Sequence, residues 1–225
     1  QRNGSRIFAL YLKDGCVEKD TLWPWDRASY DRRVIRRLQE SVQAARRLNI
    51  KPISYSDRPC RQLHKHMHAA YSEIQKAIAD YNIDQLWVPA YEGGNADHDT
   101  LNALASHFAD RISILEFAEY NFCGAKANSQ QFPYPDGSET TVMLSPEEQG
   151  IKRKMLALYA SEQKNLGYVK VAQESYRALA AYDYSKPPHP GTLWYTRFHW
   201  VPFRHPRIDF TTPQEICDSI TAFSP

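Results

Sequence analysis

The residue types and spacings most able to do chemistry fall in the stretch Pro89-Ala-Tyr-Glu-Gly-Gly-Asn-Ala-Asp-His-Asp99. Asp97, His98 and Asp99 place an imidazole between two carboxylates, a common way of fixing the tautomer of a metal-ligating histidine. Gly93 and Gly94 let the backbone turn tightly or come close to a ligand. The stretch follows an apolar run and precedes a helical pattern, so it reads as a loop from the C-terminal end of a strand into a helix N-terminus. In open α/β sheets that edge is where ligands bind, and the helix dipole there favours carboxylates. A plainer reading stands beside this one: Asp97 and Asp99 cap a helix, and His98 is a surface residue. A catalytic zinc takes three protein ligands and an open position, which a single histidine does not supply.

Other constellations carry less. His64 and His68 are spaced i,i+4 with His66 between them, and such a pair on one helical face can bind zinc. They lie beside an apolar stripe, however, with no acidic third ligand near. His189, His199 and His205, together with Tyr182, Tyr184, Trp194 and Tyr195, could line a sugar pocket or simply pack one end of a sheet. Neither a GxSxG elbow nor a glycine-rich phosphate loop is present.

The elements that must position these residues are legible by periodicity. Arg6–Leu12 reads as a buried strand closed by Lys13-Asp14-Gly15. After the Trp/Pro-rich loop 21–26, Val34, Ile35, Leu38, Val42, Ala45 and Leu48 recur at helical spacing. Ile50–Tyr55 is a second strand. Leu63, Met67, Ala70 or Tyr71, Ile74, Ile78 and Tyr81 mark a helix ending at Asn82, and Asp84–Pro89 a third strand. A helix over His98–Ala109 and a strand over Ile112–Phe117 follow. This alternation predicts right-handed βαβ crossovers and an α/β fold with a mostly parallel sheet. Residues 121–140 read as a long loop shaping a pocket mouth. Ser145-Pro-Glu-Glu148 is a complete helix start, with the helix running to about Lys164. A short helix is expected over Val171–Ala180, and irregular or strand-like chain from Tyr182 onward.

The 225 residues suit a single domain, 1–225, and the formal charge of +2 argues for neither nucleic acid nor a membrane surface. Cys16, Cys60, Cys123 and Cys217 show no paired spacing and read as reduced thiols. No apolar run reaches the ~18 residues of a membrane span, so the expected location is cytoplasmic.

The loop at 92–99 resembles the second signature of the PIG-L/LmbE-like zinc-dependent deacetylases, which commonly read Glu-Gly-Gly-His-x-Asp-His-Asp there. The resemblance runs along nearly the whole chain. It includes Leu10–Gly15, the Arg37-Leu-Gln-Glu40 helix with Leu48-Asn-Ile50, Asp57 after the second strand, Glu116–Asn121, Lys154–Gln163 and Glu174-Ser-Tyr-Arg177. It implies a Rossmann-like three-layer α/β domain that hydrolyses N-acetyl groups on sugars or glycoconjugates. By motif, His98 would be a zinc ligand, with Asp97 and Asn95 the catalytic positions beside it. Arg37, Asp57 and Glu92 would be substrate-binding. The chemistry implied is a zinc-bound water deprotonated by a carboxylate and attacking the acetyl carbonyl. A homo-oligomer is possible.

Two departures shape the expectation. The family's first signature, His-Pro-Asp-Asp, supplies two further ligands and the general base after the first strand; it should precede Arg6, and nothing in the chain resembles it. The domain is thus expected to lack its first strand and helix. Asn95 stands where many relatives carry His; its amide can donate to an oxyanion but cannot deliver a proton. Both departures motivate a rival of another class: a catalytically silent relative that binds a sugar or serves in assembly.

Overall fold

The computed structural model describes residues 4–225. Its first half follows the alternation read from the sequence: β1 (Phe8–Tyr11), α1 (Tyr30–Arg47), β2 (Lys51–Tyr55), α2 (Met67–Tyr81), β3 (Gln85–Pro89), α3 (Ala96–Ser106) and β4 (Ser113–Phe117). β1 pairs with β2 in parallel, and β3 with β4. Side chains from both pairs, Leu10 and Val88 among them, pack into a common core with Met67, Ile74, Leu104, Phe108 and Ile114.

The second half departs from a mostly parallel sheet. It contains the short antiparallel pair β5 (Tyr120–Asn121) and β6 (Asn128–Ser129), then β7 (Thr140–Met143), α4 (Pro146–Leu158), α5 (Gln163–Leu166), β8 (Gln173–Ala178) and α6 (Pro213–Ala222). β8 lies antiparallel between β4 and β7, giving the sheet order β3-β4-β8-β7 and a mixed α/β architecture. The helix expected over Val171–Ala180 is therefore a strand. The cause is a period of two: Ser175 and Arg177 are buried while Tyr176 between them is less so. Arg177 stands opposite Glu116 in the register, and its Nε donates to that buried carboxylate at 2.7 Å. Tyr182 and Asn102 also donate to Glu116, so the ion pair is fully bonded in the interior.

Other boundaries follow local chemistry. α2 starts at Met67, after a short 3-10 turn at Leu63–Lys65, and ends on Asn82 in the left-handed conformation (φ 50°). The Ser145/Glu148 capping box forms as read, although α4 stops at Leu158, short of Lys164. α1 buries Glu40, Ala44 and Ala45 rather than its larger apolar residues; Ile35 and Leu38 are exposed. Glu40 is drawn inward because it accepts from the Ser161 N–H and hydroxyl, at 3.0 and 2.6 Å. Among the described residues no helix is long and apolar enough to cross a membrane.

Candidate functional site

α3 places the site. Asn95, in extended backbone, caps the helix by accepting from the Asp97 N–H at 2.9 Å, so α3 begins at Ala96 and not at His98. Both glycines of the preceding loop are required. Gly93 has φ 70°, and a Cβ there would lie 2.8 Å from Leu193 Cδ2. A Cβ on Gly94 would overlap the Tyr120 carbonyl oxygen.

The two carboxylates flanking His98 bind backbone. Asp97 accepts from Lys13 Nζ (2.7 Å), the Arg61 N–H (2.7 Å) and the Leu63 N–H (3.0 Å). Burial alone would raise its pKa, but the Lys13 ammonium and these donors outweigh that and hold it below the ordinary 3.8. Lys13 in turn is penalised by burial, yet Asp97 holds its pKa above the ordinary value, so it stays an ammonium. On the other side, Asp99 Oδ1 accepts the Glu92 and Gly93 N–H groups, both at 3.1 Å, and clamps the glycine loop. Its Oδ2 is buried without a partner among the described residues, and burial lifts the carboxyl to about 7.

Glu92, expected from the resemblance to meet substrate, is 1% exposed and turned inward. It accepts from the Glu119 and Tyr120 N–H groups (2.8 and 2.9 Å) and from Asn121 Nδ2 (3.2 Å). That clamp fixes the turn after β4, and with it Glu119, whose Oε2 lies 3.2 Å from His98 Nδ1. Burial, then the Lys13 charge, push the His98 pKa down to about 3, so the ring is neutral. A carboxylate 3.2 Å from Nδ1 of a neutral ring favours the proton on that side, which leaves Nε2 as the acceptor nitrogen. Among the described residues, Nε2 has no protein hydrogen-bond partner. Burial raises Glu119 itself to about 7.

An aromatic wall stands beside the imidazole. The Tyr120 ring lies 6.1 Å from that of His98, with Tyr168 and Trp194 at 4.6 and 5.3 Å from Tyr120. The Asn95 amide and the Tyr168 hydroxyl both lie close enough to the Tyr120 hydroxyl to act on its pKa. Asn95 Oδ1 is thus committed to the cap.

The other sequence candidates lie elsewhere. Arg37 donates to the Gly15 carbonyl (3.2 Å) and the Ser161 hydroxyl (3.2 Å), tying the turn after β1 to the α4–α5 connection. Asp57 is exposed on the loop after β2, close enough to Asp14 to raise its pKa. Tyr182 and Tyr184 belong to the interior network around Glu116 and Asn102. His189 is buried against Gly93, and His199 Nε2 donates to the Asp209 carbonyl. His68 packs on Phe223. Sequence reasoning missed Lys13, Glu119, Tyr120, Tyr168 and Arg197. For Lys13 the signal was available, since it opens the turn that ends β1 at the same sheet edge.

The donor set tests the zinc expectation. No cluster of three or more His, Cys, Asp or Glu able to hold a metal occurs among the described residues. His98 is one oriented imidazole, but both Asp97 oxygens are taken by an ammonium and two amides. By themselves these residues do not fit a catalytic zinc.

No protein-family model and no curated protein sequence matches the chain. Solved structures do. A deacetylase of the teicoplanin biosynthesis pathway, in complex with bog, aligns with a TM-score of 0.60 at 13% identity, over 81% of this chain and 90% of that one. The A40926 pseudoaglycone deacetylase aligns with a TM-score of 0.55 at 14% identity, over 80% and 89%. The zinc-inhibited form of a teicoplanin deacetylase aligns with a TM-score of 0.56 at 13% identity, over 81% and 90%. At these identities the likeness is one of fold.

Proposed function

We propose that the chain is a hydrolase of the PIG-L/LmbE-like, Rossmann-like type that removes an N-acetyl group from an amino-sugar or glycoconjugate, with His98 at the reacting position. The observation that carries this reading is the His98–Glu119 pair. An imidazole at the C-terminal edge of a parallel strand is held by a carboxylate on Nδ1, and that carboxylate is itself positioned by a buried clamp at Glu92. Histidines that bind a metal or relay protons are oriented in this way. The fold likeness to the A40926 pseudoaglycone deacetylase and to a deacetylase of teicoplanin biosynthesis supports deacetylation as the class of reaction.

The chain's own residues divide the work. Asp97 and Asp99 set the helix and the loop, and Glu119 orients the imidazole. Asn95 and Tyr120 offer polar hydrogens beside the ring, and Tyr120 stays protonated because burial holds its pKa far above the ordinary value. If zinc participates, His98 is its ligand here, and further ligands come from outside the described residues.

The test is acetate release from N-acetylated amino-sugars and glycoconjugates by the full-length protein, with metal content measured on the same sample. His98→Ala should abolish release while leaving the fold intact. Equal release by wild type and His98→Ala would overturn the assignment of the site. The rival, a silent sugar-binding relative, draws on the Lys13–Asp97 ion pair, which ties up the carboxylate next to His98. It expects no release and no bound metal, with sugar affinity unchanged by His98→Ala.

A further inference from the structure

The segment after Pro188 is seated on the glycine loop. The Trp194 N–H donates to the Gly93 carbonyl at 2.9 Å, and Leu193 is fully buried against Gly93. This seating brings the Trp194 ring to 4.8 Å from Tyr168 and 5.3 Å from Tyr120, two ring contacts from His98. Three residues later, Arg197 folds back over it. Its guanidinium lies 4.1 Å from the Trp194 ring centroid and 4.6 Å from that of Phe198, and Nη1 donates to the Trp194 carbonyl.

The charge of Arg197 is unanswered. Arg37, Arg58, Arg61 and Arg177 each have a carboxylate within ion-pair distance. Among the described residues Arg197 has none, and all but one of its N–H donors lack a protein acceptor. A half-buried guanidinium stacked on an indole keeps its planar fork oriented and poorly hydrated, which suits bidentate capture of an oxyanion. The ring faces of Trp194 and Tyr168 beside it suit the apolar face of a sugar.

Resting on the reading of His98 as the amide-reacting position, we propose that Arg197, held on Trp194, is an anion-recognising subsite that selects acetylated amino-sugars carrying a carboxylate or phosphate group. Glu116, Arg177 and the interior tyrosines take no part in it. The function of the segment 188–198 is then to read charge on the substrate beside the aromatic wall.

The experiment uses the full-length protein and three probes: N-acetylglucosamine, N-acetylmuramic acid and N-acetylglucosamine 6-phosphate. Binding is read by tryptophan fluorescence and saturation-transfer NMR, independently of acetate release. At low salt at least one anionic probe should bind about tenfold or more tightly than the neutral one, the advantage shrinking with added salt. Arg197→Met should remove the preference and leave neutral-sugar binding within about twofold, while Arg197→Lys keeps part of it. Which anionic probe gains tells carboxylate from phosphate. Equal affinities for all three probes, a preference that survives in Arg197→Met, or no binding of any probe would each overturn the proposal. Charge preference without acetate release would uphold the subsite and sink the deacetylase reading; release without charge preference would do the reverse.

Discussion

Removing the Asp97 carboxylate should unlock α3 from two other segments at once. Asp97→Ala deletes the acceptor of the Lys13 ammonium and of two amide N–H groups, those of Arg61 and Leu63. A buried N–H left without a partner costs about 1–3 kcal/mol. The Leu63 bond is buried, whereas the Arg61 bond is part-buried and water recovers some of its loss. Lys13 keeps 26% of its side chain exposed, so the lost attraction is discounted for screening to about 1 kcal/mol. The total is roughly 3–5 kcal/mol, which for a chain of this size lowers Tm by about 6–20 °C. Asp97→Asn keeps one acceptor oxygen and should cost about half as much. Urea unfolding followed by circular dichroism measures both variants. A double-mutant cycle with Lys13→Met should show coupling of at least ~0.5 kcal/mol. If Asp97→Ala unfolds within about 1 kcal/mol of wild type, the triple clamp is not formed and the positioning argument for His98 fails with it.

Two further outcomes follow from the same clamps. Glu92 is buried and its pKa is raised well above the ordinary 4.5, so the folded state holds its proton more tightly than the unfolded chain does. Its contribution to stability is therefore fullest below pH 4.5 and is lost as pH rises towards the folded pKa, at up to about 1.4 kcal/mol per pH unit. Wild type should lose stability relative to Glu92→Gln between pH 5 and pH 8, and a flat difference over that range, measured by urea unfolding, would refute the assignment. Gly94→Ala drives a Cβ into the Tyr120 carbonyl and should destabilise by about 2–4 kcal/mol. An unchanged Tm would show that the glycine loop yields freely.

The sequence carried the first half of the fold because each element there is set locally. Val88 and Ile114 lie in short apolar runs bounded by turn residues, and Ile74 and Ala70 repeat at helical spacing. The second half is set by partners far along the chain. Arg177 is buried in β8 because Glu116 waits opposite it in β4, a match that no window around residue 177 contains. α6 was legible and overlooked: Thr212-Pro-Gln-Glu215 repeats the capping logic of Ser145-Pro-Glu-Glu148, and both boxes form. The candidate site divided in the same way. The loop 91–99 and its dipole-favoured carboxylates were visible, but Glu119 joins His98 only because Glu92 pins a turn from the next strand.

That division bears on what the loop can do. Of the polar residues between Glu92 and Asp99, all but His98 satisfy other parts of the fold. Glu92 holds the β4 turn, Asn95 caps α3, Asp97 holds Lys13 and the 61–63 backbone, and Asp99 holds the Glu92 and Gly93 amides. A motif scored by residue type counts these as reactive groups, whereas the bonds they make leave a rigid frame around a single imidazole. Such rigidity is what an oriented ligand or proton relay needs, since a loose imidazole loses its geometry before the barrier is reached. It also means that chemistry at this edge depends on groups brought to His98 from outside the loop. Besides Glu119, the wall of Tyr120, Tyr168 and Trp194, with the uncompensated Arg197 stacked on it, supplies such groups, so substrate charge should be sensed there and not by the carboxylates of the motif.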